Sequence, residues 1–600
     1  MAPTQETTPE RRFRLWPGVI AVSVQWLLWF VVPAVVPEAT VMGFYSAMLG
    51  GVAVLVWWAF FSRVPHLERW GAVVLAFAAM AVTPRFLDTS VATAAMGMLF
   101  KLYAVPVLSA VLVGWALLGR RMAVWPRRAV LAAAILSACA IFTLFRTEGV
   151  MGNFRSQLAW RWTRSPEQRL LAEAASQPAP PPAPEPAPSQ PKAGPAAAAT
   201  PLPAPPAALT RTAGSAWPGF RGPHRDSVVT GTRIRTDWSV APPKVLWRRA
   251  VGPGWSSMAV AGGLVYTQEQ RGESEVVACY DAATGKPVWT HPDATRFYES
   301  NGGAGPRATP TVHEGRVYTF GATGLLNALD AATGAIVWKR NAAADTSEKV
   351  PGWGFSSSPL VVDDLVIVAA SGRLAAYSLA TGDQRWLGPD GGVSYASPHL
   401  VTIDGMSQVL LLAQPGVISV SSASGSVLWK HAWPAEFASL QPTAMDNGEL
   451  LVTTSGAGAG LGVRRLAVTH SPEGWATREL WTSTGLKPYF NDLVVHKGHA
   501  FGFDGGILSS IDLADGKRTW KGGRYGYGQM ILLADQDLLL VVTEEGELAL
   551  VAATPDRFNE IARIPALEGK TWNHPAVSGD LLLVRNGQEM VAFRLPVAGS

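Results

Sequence analysis

Asp281-Ala-Ala-Thr-Gly285-Lys-Pro-Val-Trp289 recurs as Asp330-Ala-Ala-Thr-Gly334-Ala-Ile-Val-Trp338. It returns as Leu379-Ala-Thr-Gly382-Asp-Gln-Arg-Trp386, Ser424-Gly425-Ser-Val-Leu-Trp429 and Asp512-Leu-Ala-Asp-Gly516-Lys-Arg-Thr-Trp520, and degenerate copies end at Trp481 and near Ile561. The trailing tryptophans lie 39 to 52 residues apart, the length of one four-stranded propeller blade. Asp and Thr close a tight turn through side-chain bonds to backbone, Gly supplies the positive φ, and two antiparallel strands leave it. The Trp then reads as apolar packing between neighbouring blades. Val245-Leu-Trp247 has the outer-strand pattern with no strands before it, and the last segment, 581–595, lacks an outer strand. The chain start therefore completes the last of eight blades and closes the ring, which removes exposed sheet edges.

Aligning the blade starts gives Trp255-Ser-Ser257, Arg307-Ala-Thr309, Ser356-Ser-Ser358, Tyr395-Ala-Ser397, Ser439-Leu-Gln441, Tyr489-Phe-Asn491, Tyr527-Gly-Gln529 and Trp572-Asn-His574. One column is wholly polar: Ser257, Thr309, Ser358, Ser397, Gln441, Asn491, Gln529 and His574. The column two residues earlier is mostly aromatic, with Trp255, Tyr395, Tyr489, Tyr527 and Trp572, and Arg307 as its one charge. Equivalent positions circle one mouth of a propeller channel. Polar groups below aromatic faces suit a planar anionic ligand or a peptide loop, while inner-strand Ser and Thr also serve crowded backbone and channel water. His574 is the best single acid–base candidate. His496 and His499 have ligand-like spacing without a third partner, and Gly456–Gly460 lacks the strand-to-helix setting of a phosphate loop.

Upstream of the repeats the composition changes. Five apolar stretches, at about 17–36, 41–62, 69–85, 93–118 and 128–147, approach the roughly 20 residues needed to cross a bilayer, the third being the shortest. Arg11, Arg12, Arg14, Arg63, Arg69, Arg120, Arg121, Arg127 and Arg128 fall on one side of these spans and only Arg85 on the other. The N-terminus is thus cytoplasmic, and an odd number of spans places the rest across the membrane, in the periplasm of a two-membrane bacterium. The first span reads as an anchor and not as a cleaved signal. Lys101 lies within the fourth span near its outer end; an intramembrane charge is by default a functional candidate, with snorkelling to the outer interface the favoured reading, and Pro106 should kink that helix. A polar helical segment from Phe154 to Glu173 follows, then a Pro/Ala-rich stretch over 177–209 that reads as a semi-rigid spacer between membrane and soluble domain.

The expected organisation is a cytoplasmic tail (1–16), a five-helix transmembrane domain (17–147), a juxtamembrane segment and linker (148–216) and an all-β eight-bladed propeller (217–600). The net charge of +5 is small for 600 residues and gathers near membrane boundaries, so no nucleic-acid partner is expected. The two cysteines, Cys139 and Cys279, lie in different domains and form no zinc or haem spacing.

The Asp-x-x-Thr-Gly-x-x-x-Trp blade of 281–289 and 330–338 resembles the pyrroloquinoline-quinone-like propeller repeat. That superfamily includes quinoprotein alcohol and glucose dehydrogenases and a non-catalytic propeller lipoprotein of the outer-membrane barrel assembly machinery. The resemblance covers about 217–600, and Trp217-Pro-Gly-Phe-Arg221-Gly-Pro-His-Arg225-Asp looks like the opening motif of other bacterial members. The five spans are similar to the layout of membrane-bound glucose dehydrogenase, which passes electrons to ubiquinone. For a dehydrogenase the resemblance implies pyrroloquinoline quinone with calcium. Trp255, Tyr395, Tyr489, Tyr527 and Trp572 would stack on the cofactor, Arg307 would pair with its carboxylates, and Thr309, Ser358, Ser397, Gln441 and Gln529 would line its pocket. Asn491 would be a metal ligand, Asp492 the base, and a membrane quinone the acceptor. Departures from that pattern are the missing pair of adjacent cysteines, the missing glutamate of the calcium site and the short blades. The leading expectation is therefore a membrane-anchored periplasmic propeller that binds or scaffolds a ligand or protein. The quinoprotein dehydrogenase is the alternative.

Overall fold

The computed structural model describes residues 15–36, 40–119, 122–152, 155–176, 216–445, 448–456 and 459–598. The tail arginines Arg11, Arg12 and Arg14, together with Arg120, Arg121 and the spacer at 177–209, lie outside them. The chain divides into two units. One runs to Thr163 and takes in Tyr298–Gly303, and the other comprises Arg164–Phe297 and Ala304 onward.

Among the described residues, the first unit holds five helices long and apolar enough to cross a membrane: Trp16–Val35, Met42–Phe61, His66–Arg85, Leu99–Leu118 and Val124–Leu144. The third is as long as its neighbours because it starts at His66, behind the extended Pro65. The fourth stretch is broken, since Ala95, Met96 and Gly97 take positive φ and the uninterrupted helix begins only at Leu99. Pro106 frees a carbonyl inside this helix, and its own oxygen accepts from Trp26 Nε1 at 3.3 Å. Buried Glu68 lies 2.7 Å from Arg127 and 3.3 Å from Arg128. The segment expected as helix from Phe154 begins instead as a strand. Ser156–Trp160 pairs with Phe145–Val150 in a hairpin, and helix resumes only at Pro166–Ser176. That helix belongs to the second unit, where Glu167 binds Arg296 at 2.8 and 3.0 Å and accepts from Gly272 N.

The second unit is an eight-bladed propeller. Blade 1 contains Ala259–Ala261, Leu264–Arg271, Ser274–Asp281 and Pro287–Asp293 in that order from the axis outward. Blades 2 to 7 begin at Thr311–His313, Leu360–Val362, His399–Ile403, Thr443–Ala444, Val494–His496 and Gln529–Leu533. Blade 8 takes its three inner strands from the chain end, and its outer strand, Lys244–Ala250, from the beginning. This closure joins two distant stretches of chain in one sheet and leaves no radial edge open.

The repeat motif does two jobs in the ring. Asp330 Oδ1 accepts from Thr333 N at 2.8 Å and Thr333 Oγ1 at 2.7 Å, and Asp281 does the same with Thr284. Each tryptophan then reaches into the following blade. Its indole N–H donates to the turn carbonyl there: Trp247 to Ala282, Trp289 to Ala331, Trp338 to Leu379, Trp386 to Ser422, Trp481 to Leu513 and Trp520 to Thr554. Trp429 instead bonds Gln408 in its own blade, because the neighbouring outer hairpin, Ala459–Ser471 with Gly474–Ser483, lacks the repeat turn. At Gly334, φ is +72° and a Cβ would lie 2.5 Å from the Trp289 ring. Gly334→Ala combines left-handed strain with a clash and should cost about 2 kcal/mol, read as a lower denaturant midpoint for the propeller.

Candidate functional site

The blade starts meet around one axis, in three layers along the inner strands. The middle layer is the polar column. Ser257 N donates to Thr309 Oγ1 at 3.1 Å, Thr309 N to Ser358 Oγ at 3.0 Å and Ser358 N to Ser397 Oγ at 2.9 Å. Gln441 Nε2 donates to Pro398 O, and Gln529 Nε2 to Trp572 O and Phe490 O. Ser257 Oγ closes the circle on His574 O at 2.5 Å. These side chains are buried and bond neighbouring blade starts together, which gives the column a structural task whatever else it does.

One to three residues further along the strands, the opening segment crosses the channel. Trp217 bridges Val260, Pro218 O accepts from Val312 N, and Ser227 O accepts from Leu532 N. Val228–Val229 then pairs in parallel with blade 7. Arg221, Arg225 and Ser227 all hold positive φ, a strain of order 1–3 kcal/mol per residue that surrounding bonds must offset. Those bonds are on the arginine side chains. Arg221 donates to Ser227 Oγ, Asp226 O and Leu493 O, and its Nη1 lies 3.2 Å from Asp492 Oδ1. Arg225 donates to Pro359 O and Ser358 O. Its guanidinium sits 5.8 Å over Phe220, whose ring meets His574 edge-on at 5.1 Å.

Asp492 lies at the centre of this cluster. Its second oxygen is 3.0 Å from His574 Nε2. Burial opposes its charge, but Arg221 and His574 outweigh that and hold the carboxyl below the usual range. His574 is pushed down by burial, only partly countered by Asp492, so it is a neutral imidazole at pH 7. His399 is pushed down to about 3 by burial, Arg225 and Arg221, and burial with Arg221 pushes Arg225 down to about 9. Asn491 Oδ1 accepts from Tyr489 N, and its Nδ2 is buried without a partner.

Two residues upstream of the ring lies the aromatic layer. Trp255 and Trp572 approach to 4.9 Å between centroids, Trp572 and Phe490 to 4.9 Å, and Phe490 stacks on Tyr527 at 5.3 Å. Trp353 spans the mouth, touching Tyr395 at 4.9 Å, Phe437 at 4.7 Å and, from blades further round, Tyr489 at 6.5 Å. Lys570 Nζ sits 4.1 Å over Trp572 and 5.0 Å over Trp255. Arg307 donates to Trp353 O and Ala304 O and lies over Phe297. Glu544 accepts from Trp572 Nε1 and Tyr527 N. Trp255, Trp353, Tyr395, Tyr489, Tyr527 and Trp572 are all half-buried.

The structure therefore brings Trp255, Arg307, Tyr395, Tyr489, Tyr527 and Trp572 together at the mouth, and Thr309, Ser358, Ser397, Gln441, Asn491, Gln529 and His574 beneath them. Asp492 lies deeper, against the opening segment. Sequence alignment missed Trp353, Phe437, Phe490, Lys570 and Glu544. Phe490 was legible as the residue between two column positions. Phe437 and Lys570 each lie four residues before a column position, Gln441 and His574, an offset with no common residue type across the blades, and Trp353 and Glu544 stand outside it. His496 pairs with Asp537 at 2.6 Å, and His499 turns to Lys497 O. A calcium–quinone centre finds a poor donor set here. One Asp492 oxygen already faces the Arg221 guanidinium and the other faces His574, and the free group of Asn491 is a donor where a metal needs an acceptor.

A family model described as outer membrane protein assembly factor BamB matches residues 238–389 and 388–595. The chain is 31% identical over 156 residues to the outer membrane protein assembly factor BamB of Shewanella oneidensis, covering 24% of this chain and 36% of that protein. It is 24% identical over 351 residues to the protein of the same description from Burkholderia pseudomallei, covering 54% of this chain and 84% of that one. The chain thus spans about a third of the first relative's length and most of the second's. A solved quinohemoprotein alcohol dehydrogenase from Comamonas testosteroni is similar with a TM-score of 0.46 and 14% identity, over 66% of this chain and 85% of that one. Likeness at that level says nothing beyond the fold already described.

Proposed function

Because this chain belongs to the family of the outer membrane protein assembly factor BamB, we propose that it is a membrane-anchored binding and scaffolding module whose aromatic mouth receives a segment of a partner protein. The relatives are named for assembling outer membrane proteins, which favours a protein segment over a small molecule as the occupant. Five spans would hold it in the inner membrane, N-terminus in the cytoplasm, propeller in the periplasm. The observation that carries the reading is the division of labour along the axis. The polar ring is engaged in joining blades and Asp492 is held between Arg221 and His574. The aromatic side chains at the mouth are only half-buried, and Lys570 sits over two of them. Such rigid aromatics beside a cation are what protein interfaces use as anchors.

A photo-crosslinking residue at Tyr395, introduced into the full chain in membranes, should trap one partner of defined mass. Lys570→Glu should abolish that product, and the same crosslinker at exposed Val288, on an outer strand, should not form it. Equal trapping at both positions would overturn the mouth as the site. Saturable pyrroloquinoline quinone binding in calcium, weakened by Arg307→Ala, would instead promote the quinoprotein dehydrogenase reading.

A further inference from the structure

The hairpin that follows the last apolar helix carries a contiguous aromatic stack on its surface. Phe145 stacks on Trp160 at 4.6 Å and 21°, and Trp160 on Trp162 at 5.0 Å and 15°. Trp160 is 46% exposed and Trp162 68% exposed. The register explains the stack, because Phe145 and Trp160 are directly paired and so share a face with Leu158. Single exposed aromatics need no explanation, but a continuous apolar ladder does.

Its place in the chain supplies one. The hairpin starts at Phe145, immediately after the helix Val124–Leu144, so it stands at that helix's end. Arg161 ties it to the same end of the bundle, donating to Phe86 O at 3.4 Å and lying 3.7 Å from Asp88. Phe86, just beyond the helix His66–Arg85, is itself 63% exposed. The other end of the bundle has its own aromatic set. Exposed Trp16, Trp70 and Trp125 lie within five residues of the starts of the first, third and fifth helices. Helices of 20 residues hold the two sets apart, about 30 Å at 1.5 Å per residue, the thickness of a hydrocarbon core.

We infer that the Phe145–Trp160–Trp162 ladder is a membrane-interface anchor, lying at headgroup level in the lipid leaflet at that end of the bundle. Trp is favoured there because an apolar ring meets lipid while its N–H stays with water and headgroups. The inference rests on the five helices crossing a bilayer. It gives the hairpin a task beyond connection: it pins the chain to the lipid surface at Thr163, before the helix Pro166–Ser176.

The test uses the full chain in phospholipid nanodiscs with a nitroxide at one introduced cysteine. Cys139 and Cys279 are buried and should stay unlabelled. Three positions are compared: Trp162→Cys, Phe77→Cys on the exposed face of the third helix, and Lys517→Cys on a propeller turn. Relative collision with oxygen over a water-soluble nickel chelate should be several-fold higher for Trp162→Cys than for Lys517→Cys, and lower than for Phe77→Cys. A Trp162 label that behaves like Lys517 while Phe77 reads as hydrocarbon overturns the anchor alone. A label shielded from both probes means protein cover and also overturns it. A Phe77 label exposed to the chelate sinks the membrane reading and the anchor with it.

Discussion

Asp492→Ala lowers the stability of the propeller by about 3–5 kcal/mol, because it strands a buried guanidinium. Arg221 and Asp492 are almost wholly inaccessible, and the three other Arg221 contacts are to neutral oxygens. The change also removes the carboxylate facing His574. The measurement is the denaturant midpoint of the full chain in detergent, followed by tryptophan fluorescence. An Asp492→Leu, Arg221→Met double variant should recover part of the loss, since removing both charges leaves no uncompensated ion. A single variant as stable as the wild type would show that the pair carries no weight. The pH dependence has a definite sign. A carboxyl held below its usual range stabilises fully above its unfolded value near 4, and that contribution is lost as pH falls through the lower folded value. Asp492→Ala should therefore differ most from wild type at neutral pH and least in strong acid.

His399→Gln should make the propeller progressively more acid-resistant relative to wild type. His399 is driven down to about 3 against an unfolded value near 6.5. Between those limits the unfolded chain binds a proton that the folded one refuses, so stability falls with pH by about 1.4 kcal/mol per unit. Glu275 works in the opposite direction. Burial pushes it up to about 7, so its folded form holds a proton between about 4.5 and 7 that the unfolded chain loses. His574, also pushed down by burial, adds to the His399 slope, so only the difference between variant and wild type isolates His399. That difference should widen by several kcal/mol between pH 6.5 and pH 3. A constant offset across the range would mean that His399 titrates normally and is open to water.

Much of the ring was legible because its rules are local and repeated. Asp281, Thr284 and Gly285 specify one turn through their own bonds, and repetition turns a weak local signal into an alignment. That alignment placed Thr309, Ser397, Asn491 and His574 in one column. The helix expected over 154–173 forms only from Pro166 onward. Ser156–Trp160 gains more from pairing with Phe145–Val150 and stacking Trp160 on Phe145 than from its helical preference, and that partner strand begins within the end of the last apolar stretch.

By itself, then, the sequence determined the number of blades, the closure of the last by the first strand, the apolar spans and the two columns at the channel. Each depends on residues whose spacing repeats or whose apolar run is continuous. Only the tertiary structure decided what those columns face. Trp353 and Lys570 reach the mouth from loops with no common spacing, and Arg221 and Arg225 enter the channel because positive φ turns the opening segment across it. Whether a carboxylate is a free base or half of a sealed ion pair depends on groups far away in the chain. Asp492 meets Arg221 and His574 across such distances, and Coulomb energy and burial are functions of that meeting, not of sequence neighbours.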